Sequence, residues 1–163
     1  MEWAFVLSGV AGIGILLCFA MLFHQDIKHQ KLPNELIIIL TIFCSVFLVL
    51  TEIVIEQKSY STVLFNHALA LIPITVLYGV IYIVSRGRMI GLGDVKLGVP
   101  IAILLPWQGA VAVLGLSNVL ALIVIIIMLT TKKAKPNTKV PFGPFLIVAT
   151  LLVFVMKFFV DFF

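Results

Sequence analysis

Charge is what this sequence has least of. Aspartate, glutamate, lysine and arginine together make up 11% of its 163 residues, against about a quarter in an ordinary soluble domain. So few charges cannot cover a globular surface in water, which excludes a soluble fold. Cysteine is nearly missing as well. Cys18 and Cys44 each lie inside an apolar run with no CxxC or Cys/His spacing, so neither a disulfide framework nor a thiolate metal cluster is expected and both read as small packing or lipid-facing hydrophobes. There is no HExxH, and His24 and His29 flank Asp26 without forming a ligand pair on a helix face; no metal and no other cofactor is expected. Met1-Glu2-Trp3 lacks a basic segment, and no small-residue cleavage site follows the first apolar run, which is therefore read as a retained span rather than a signal peptide. The net charge of +4 comes without aromatic interleaving, so the basic residues are topology signals and no nucleic-acid partner is expected.

What remains is hydrocarbon. The chain is 63% hydrophobic, with a mean hydropathy of +1.27, and reads as an all-α integral membrane protein whose partner along most of its surface is lipid. A crossing needs about 20 apolar residues. On that measure there are about six spans in one polytopic domain, at approximately 3–23, 36–55, 63–84, 92–106, 109–131 and 140–159. The fourth is short unless it includes part of the glycine-rich segment before it. Lys28 and Lys31 follow span one, Arg86 and Arg88 span three, and Lys132, Lys133, Lys135 and Lys139 span five, whereas the alternate gaps hold only Lys58. By the positive-inside rule both termini lie outside, with Lys157 a minor dissent. Asp26 and Asp94 then share the cytoplasmic side of a multi-pass protein of the cell membrane. The third aspartate, Asp161, falls in the tail. Glu2, Glu52 and Glu56 map outside and read as solvated or headgroup-level charges. Glu35, at the mouth of span two, fits a carboxylate at a helix N-terminus, with orientation of a basic substrate as the alternative.

The segment Gly91-Leu92-Gly93-Asp94-Val95-Lys96-Leu97-Gly98 sets an acid and a base among three glycines at a membrane boundary, where an ionisable residue is by default a functional candidate. Two carboxylates sharing one proton can hydrolyse an amide without a metal: the ionised member draws a proton from water, and the protonated one polarises the carbonyl and protonates the leaving nitrogen. Asp26 and Asp94 are the candidate pair, with Gly91 and Gly93 allowing backbone angles and close helix approach around the second. A plain loop-to-helix turn capped by Asp94 is the alternative. Lys96 and Lys28 each stand two residues after an acid, as neutralising partners, snorkelling residues or substrate contacts. Pro33 and Asn34 break one helix and cap the next. Pro141-Phe142-Gly143-Pro144 keeps the start of span six irregular, either bordering the same cavity as part of a substrate cleft or serving as a proline-started helix.

Asp26 followed by Leu32-Pro33-Asn34, then Gly91-Leu92-Gly93-Asp94-Val95-Lys96-Leu97, then Pro141-Phe142-Gly143-Pro144, in that order over nearly the whole chain, resembles the type IV prepilin peptidases. The resemblance implies a Gly-x-Gly-Asp aspartyl protease that removes the short basic leader of a type IV prepilin or pseudopilin precursor at the cytoplasmic membrane face. Asp26 and Asp94 would be its catalytic acids. Oligomeric state stays open, a homodimer included. The paired-cysteine insertion linked to N-methylation in larger members has no counterpart here, which points to a compact, peptidase-only, preflagellin-peptidase-like form. A presenilin-like intramembrane protease is an alternative, weakened because Gln25 rather than Tyr precedes Asp26 and no Pro-Ala-Leu occurs. A small proton- or ion-coupled transporter, or a pilus-assembly scaffold, is another, weakened by the lack of a duplicated half.

Overall fold

The computed structural model describes residues 2–86, 90–131 and 141–159, the side chains of residues 158 and 159 excepted. Arg88, Lys132, Lys133, Lys135, Lys139 and Asp161 lie outside these residues. In hydrocarbon an apolar run must satisfy its own backbone polar groups, and for a single run that means a helix. Seven α-helices result among the described residues: α1 (Glu2–His29), α2 (Asn34–Leu48), α3 (Tyr60–Leu71), α4 (Leu77–Ser85), α5 (Leu92–Leu104), α6 (Trp107–Thr130) and α7 (Gly143–Phe159). No strand occurs among the described residues. Two stretches widen to π-helix. Val49–Ile55 prolongs α2, and Ile72–Val76 joins α3 to α4. Each has a local cause of the kind that disturbs an α-helical ladder. Pro73 has no N–H to give, and the Thr51 hydroxyl donates to the Phe47 carbonyl at 2.7 Å.

Among the described residues, four continuous rods are long and apolar enough to cross a bilayer: Glu2–His29, Asn34–Ile55, Tyr60–Ser85 and Trp107–Thr130. The other two helices are shorter. α5 has 13 residues, a rise of about 20 Å against a hydrocarbon core of about 30 Å. It starts at Leu92, where the fourth span is expected to start, and stops when Leu105 turns extended ahead of Pro106 and α6. α1 lies along α2, α5 packs against α2 and α3, and α6 packs against α3 and α7. Phe19, Leu22, Leu40, Ile74, Tyr78, Leu97, Ile101 and Leu146 fill the middle, while many large apolar side chains, among them Val6, Leu64, Ile83 and Leu122, face outward. Inside and outside are equally apolar. Close packing, rather than exclusion of water, must hold such helices together. Cys18 and Cys44 are both buried in this packing.

One expectation is overturned. Glu52 is not a solvated outer charge but is 5% exposed, because it sits in the π-helical part of its rod and is turned inward. Its carboxylate accepts a hydrogen bond from Lys157 Nζ of α7 at 3.1 Å, and lies 3.5 Å from His67 Nε2 and 3.8 Å from Lys58 Nζ. His67 Nδ1 in turn donates to the Ala102 carbonyl of α5 at 3.0 Å. The cluster thereby ties together four helical rods. Burial works against the charge on Lys58, in the turn before α3, but its ion pairs with Glu56 and Glu52 outweigh that and hold its ammonium above the ordinary lysine range.

Candidate active site

At the opposite end of the bundle from that cluster, the Gly-Leu-Gly-Asp segment forms the entry to α5. Gly91 is extended (φ −78°, ψ 153°) and Asp94 is the third residue of the helix. The Asp94 side chain turns back so that Oδ2 accepts the Gly91 N–H at 3.0 Å, satisfying a donor near the helix start and placing the carboxylate where the helix dipole favours it. Gly91 adopts angles open to any residue, so unusual backbone freedom is not what glycine contributes there. At Gly93 the contribution is space. A Cβ would stand 2.9 Å from the Leu32 Cβ, so the bare backbone lets the start of α5 touch the turn between α1 and α2.

Asp26 belongs to the last turns of α1, whose end is closed by Gln30 N–H donating to the Asp26 carbonyl at 2.9 Å. Its side chain is 5% exposed, and that of Asp94 is 7% exposed. The two carboxylates meet at the first residue of α7. A Cβ built on Gly143 would fall 2.5 Å from Asp26 Oδ2 and 3.4 Å from Asp94 Oδ1, so these oxygens are no farther apart than those two distances end to end. The Gly143 N–H faces the Asp26 carboxylate, while Asp26 Oδ2 makes no hydrogen bond of normal geometry. Among the described residues neither aspartate is in an ion pair. Both line one open cavity of about 770 Å³ with Gln25, His29, Gln30, Lys31, Leu32, Pro33, Asn34, Leu92, Gly93 and Lys96. Two carboxyl groups at such separation, in contact with water, can share a proton.

The remaining candidates divide. Pro33, Asn34, Gly93 and Lys96 are in the cavity wall. Lys96 does not neutralise Asp94 through an ion pair; its Nζ donates to Asn34 Oδ1 at 2.8 Å, bridging α5 to the start of α2. Lys28 and Glu35 are exposed and outside the wall, Glu35 in the first turn of α2. Pro141, Phe142, Gly143 and Pro144 do not line the cavity either. Of these only Gly143 stands against both acids, and it and Pro144 are buried. The sequence gives no signal for what holds them there. The Phe142 ring sits edge-on to Tyr78 of α4, with centroids 5.5 Å apart, and the fully buried Tyr78 hydroxyl shares a 3.1 Å hydrogen bond with Ser117 Oγ of α6. His29, weighed from the sequence only as a metal ligand beside Asp26, ends α1 in the wall, and Gln30, for which the sequence gives no signal, follows it there.

Residues 4–129 match the type IV leader peptidase family. Over 153 residues the chain is 28% identical to a prepilin leader peptidase/N-methyltransferase of Stutzerimonas stutzeri, an alignment covering 90% of this chain and 50% of that protein. The chain therefore spans about half the length of the curated relative it matches. No solved structure matches it significantly.

Proposed function

The chain belongs to the type IV leader peptidase family, and from that premise we propose that it is a membrane-embedded aspartyl endopeptidase in which Asp26 and Asp94 act as a dyad. The observation that carries the reading is the convergence of both carboxylates on Gly143, at the edge of a cavity open to water. The substrate is a type IV prepilin or pseudopilin precursor whose apolar segment lies among the helices and whose short basic leader enters the cavity. The ionised carboxylate takes a proton from a water molecule as its oxygen adds to the scissile carbonyl, which the protonated carboxyl polarises. Collapse of the adduct breaks the C–N bond, the leaving nitrogen takes a proton from the acid, and the pair is left as it began.

In this reading α5 and α7 join the four long rods to make six crossings, both termini are outside, and the acids work at the cytoplasmic face. Lys28, Lys31 and Arg86 at that end agree with the positive-inside rule. The activity is leader cleavage alone, without the N-methyl transfer in the relative's name. The test is co-expression with a type IV prepilin precursor, scored by the leader-shortened band. Asp26→Asn and Asp94→Asn should each lower processing on the order of 10³-fold or more while leaving insertion intact. Undiminished cleavage by both variants would falsify the dyad.

A further inference from the structure

The first turn of α7 has a distribution of backbone donors that matters for the acids. Phe145 and Leu146 N–H groups both return to the Phe142 carbonyl, at 3.0 and 3.3 Å, and Pro144 has no N–H at all. That leaves the Gly143 N–H, and it faces Asp26. At the same residue a side chain would collide with Asp26, its Cβ coming within 2.5 Å of Asp26 Oδ2 and 3.2 Å of Asp26 Cγ. The turn cannot retreat to make room. Phe142 is held edge-on by Tyr78, which is completely buried and tied to Ser117, and Phe142 also packs against the Phe145 ring with centroids 6.3 Å apart. Nor can Asp26 swing out at no cost, since it is itself buried.

We propose that Gly143 is a positioning residue for the peptidase reaction: its bare Cα sets the gap across which Asp26 and Asp94 face one another. The inference rests on the dyad reading above and adds a residue that touches the acids from behind, not from the substrate side. A methyl group there pushes Asp26 aside, and a displacement of about 1 Å at reacting groups costs roughly 10²-fold in rate. The loss belongs in kcat, because apart from Asp26 itself the cavity wall that meets the precursor is unchanged.

The experiment is steady-state cleavage of a purified type IV prepilin precursor by the full chain in detergent. Gly143→Ala should lower kcat by about 10²-fold with KM within about threefold. Gly79→Ala and Gly115→Ala, where an added Cβ meets nothing within 4 Å, should cleave like the parent. Should Gly143→Ala fail to accumulate, the same substitution is made in an Asp26→Ala background, where the Cβ meets only Asp94 Oδ1 at an ordinary contact distance of 3.4 Å; there it should fold and melt within about 3 °C of Asp26→Ala alone. A folded Gly143→Ala with kcat within about threefold of the parent overturns the positioning role, as does a double variant that still does not fold. Failure of the dyad reads differently. In that case Asp26→Asn and Asp94→Asn cleave normally, whatever Gly143→Ala does.

Discussion

Lys157, in the last turn of α7, donates to Glu52 at 3.1 Å across 105 residues of chain. The bond fastens the far end of the helix whose near end presents Gly143 to the acids, so the ionic cluster and the candidate site share one rod.

Loss of one partner from a buried pair leaves an uncompensated charge, at about 3–5 kcal/mol. Glu52→Gln should therefore lower the thermal midpoint in detergent strongly, since both Lys157 and His67 lose their acid. In a cycle with Lys157→Met, the double variant should be less destabilised than the two single costs together, with a coupling of about 0.5–3 kcal/mol. Strictly additive costs would show that the two side chains do not act as a pair.

Lys96 and Asn34 join α5 to the start of α2 at the cavity wall. The bond is exposed, so Lys96→Met should change stability by no more than about 1 kcal/mol. Its effect should appear in catalysis, as roughly a tenfold fall in precursor cleavage, because the bond braces the helix that carries Asp94. Asn34→Ala should match it and the double variant should be no worse, as measured by initial rates at saturating precursor. Independent, multiplying losses would count against a shared brace.

Tyr78 supports Phe142 with its ring and reaches Ser117 with its hydroxyl. Tyr78→Phe keeps the ring, and should cost about 0.5–1.5 kcal/mol of stability with cleavage nearly unchanged. Tyr78→Ala removes the support and should cost about 3–5 kcal/mol together with most of the cleavage. Equal activity in the two variants would mean that the ring does not hold α7 in place.

The helical membrane class and the ordered motifs were legible in the sequence because they depend on local features: long apolar runs, and glycine and proline at fixed offsets from an acid. Which face of each helix points inward was not legible. Lipid and protein interior are both apolar here, so no polar stripe marks the outer face, and Leu22 in the core differs in no local way from Leu17 in lipid. Glu52 shows the same limit for a charged residue. Its position near a helix end reads as headgroup-level, and the partners that bury it, His67 and Lys157, come from distant segments. The support of Gly143 by Tyr78 likewise depends on α4 and α7 meeting, which pattern alone does not reveal.

The π-helical stretch at Val49–Ile55 is in effect one residue too many for an ordinary helix. Every side chain beyond it is out of phase, by about 100°, with where an unbroken α-helix would set it. Glu52 lies inside that stretch, where part of the offset has already accumulated, so a single-residue deletion just before it would rotate the acid away from Lys157 and His67 without replacing any of its contacts.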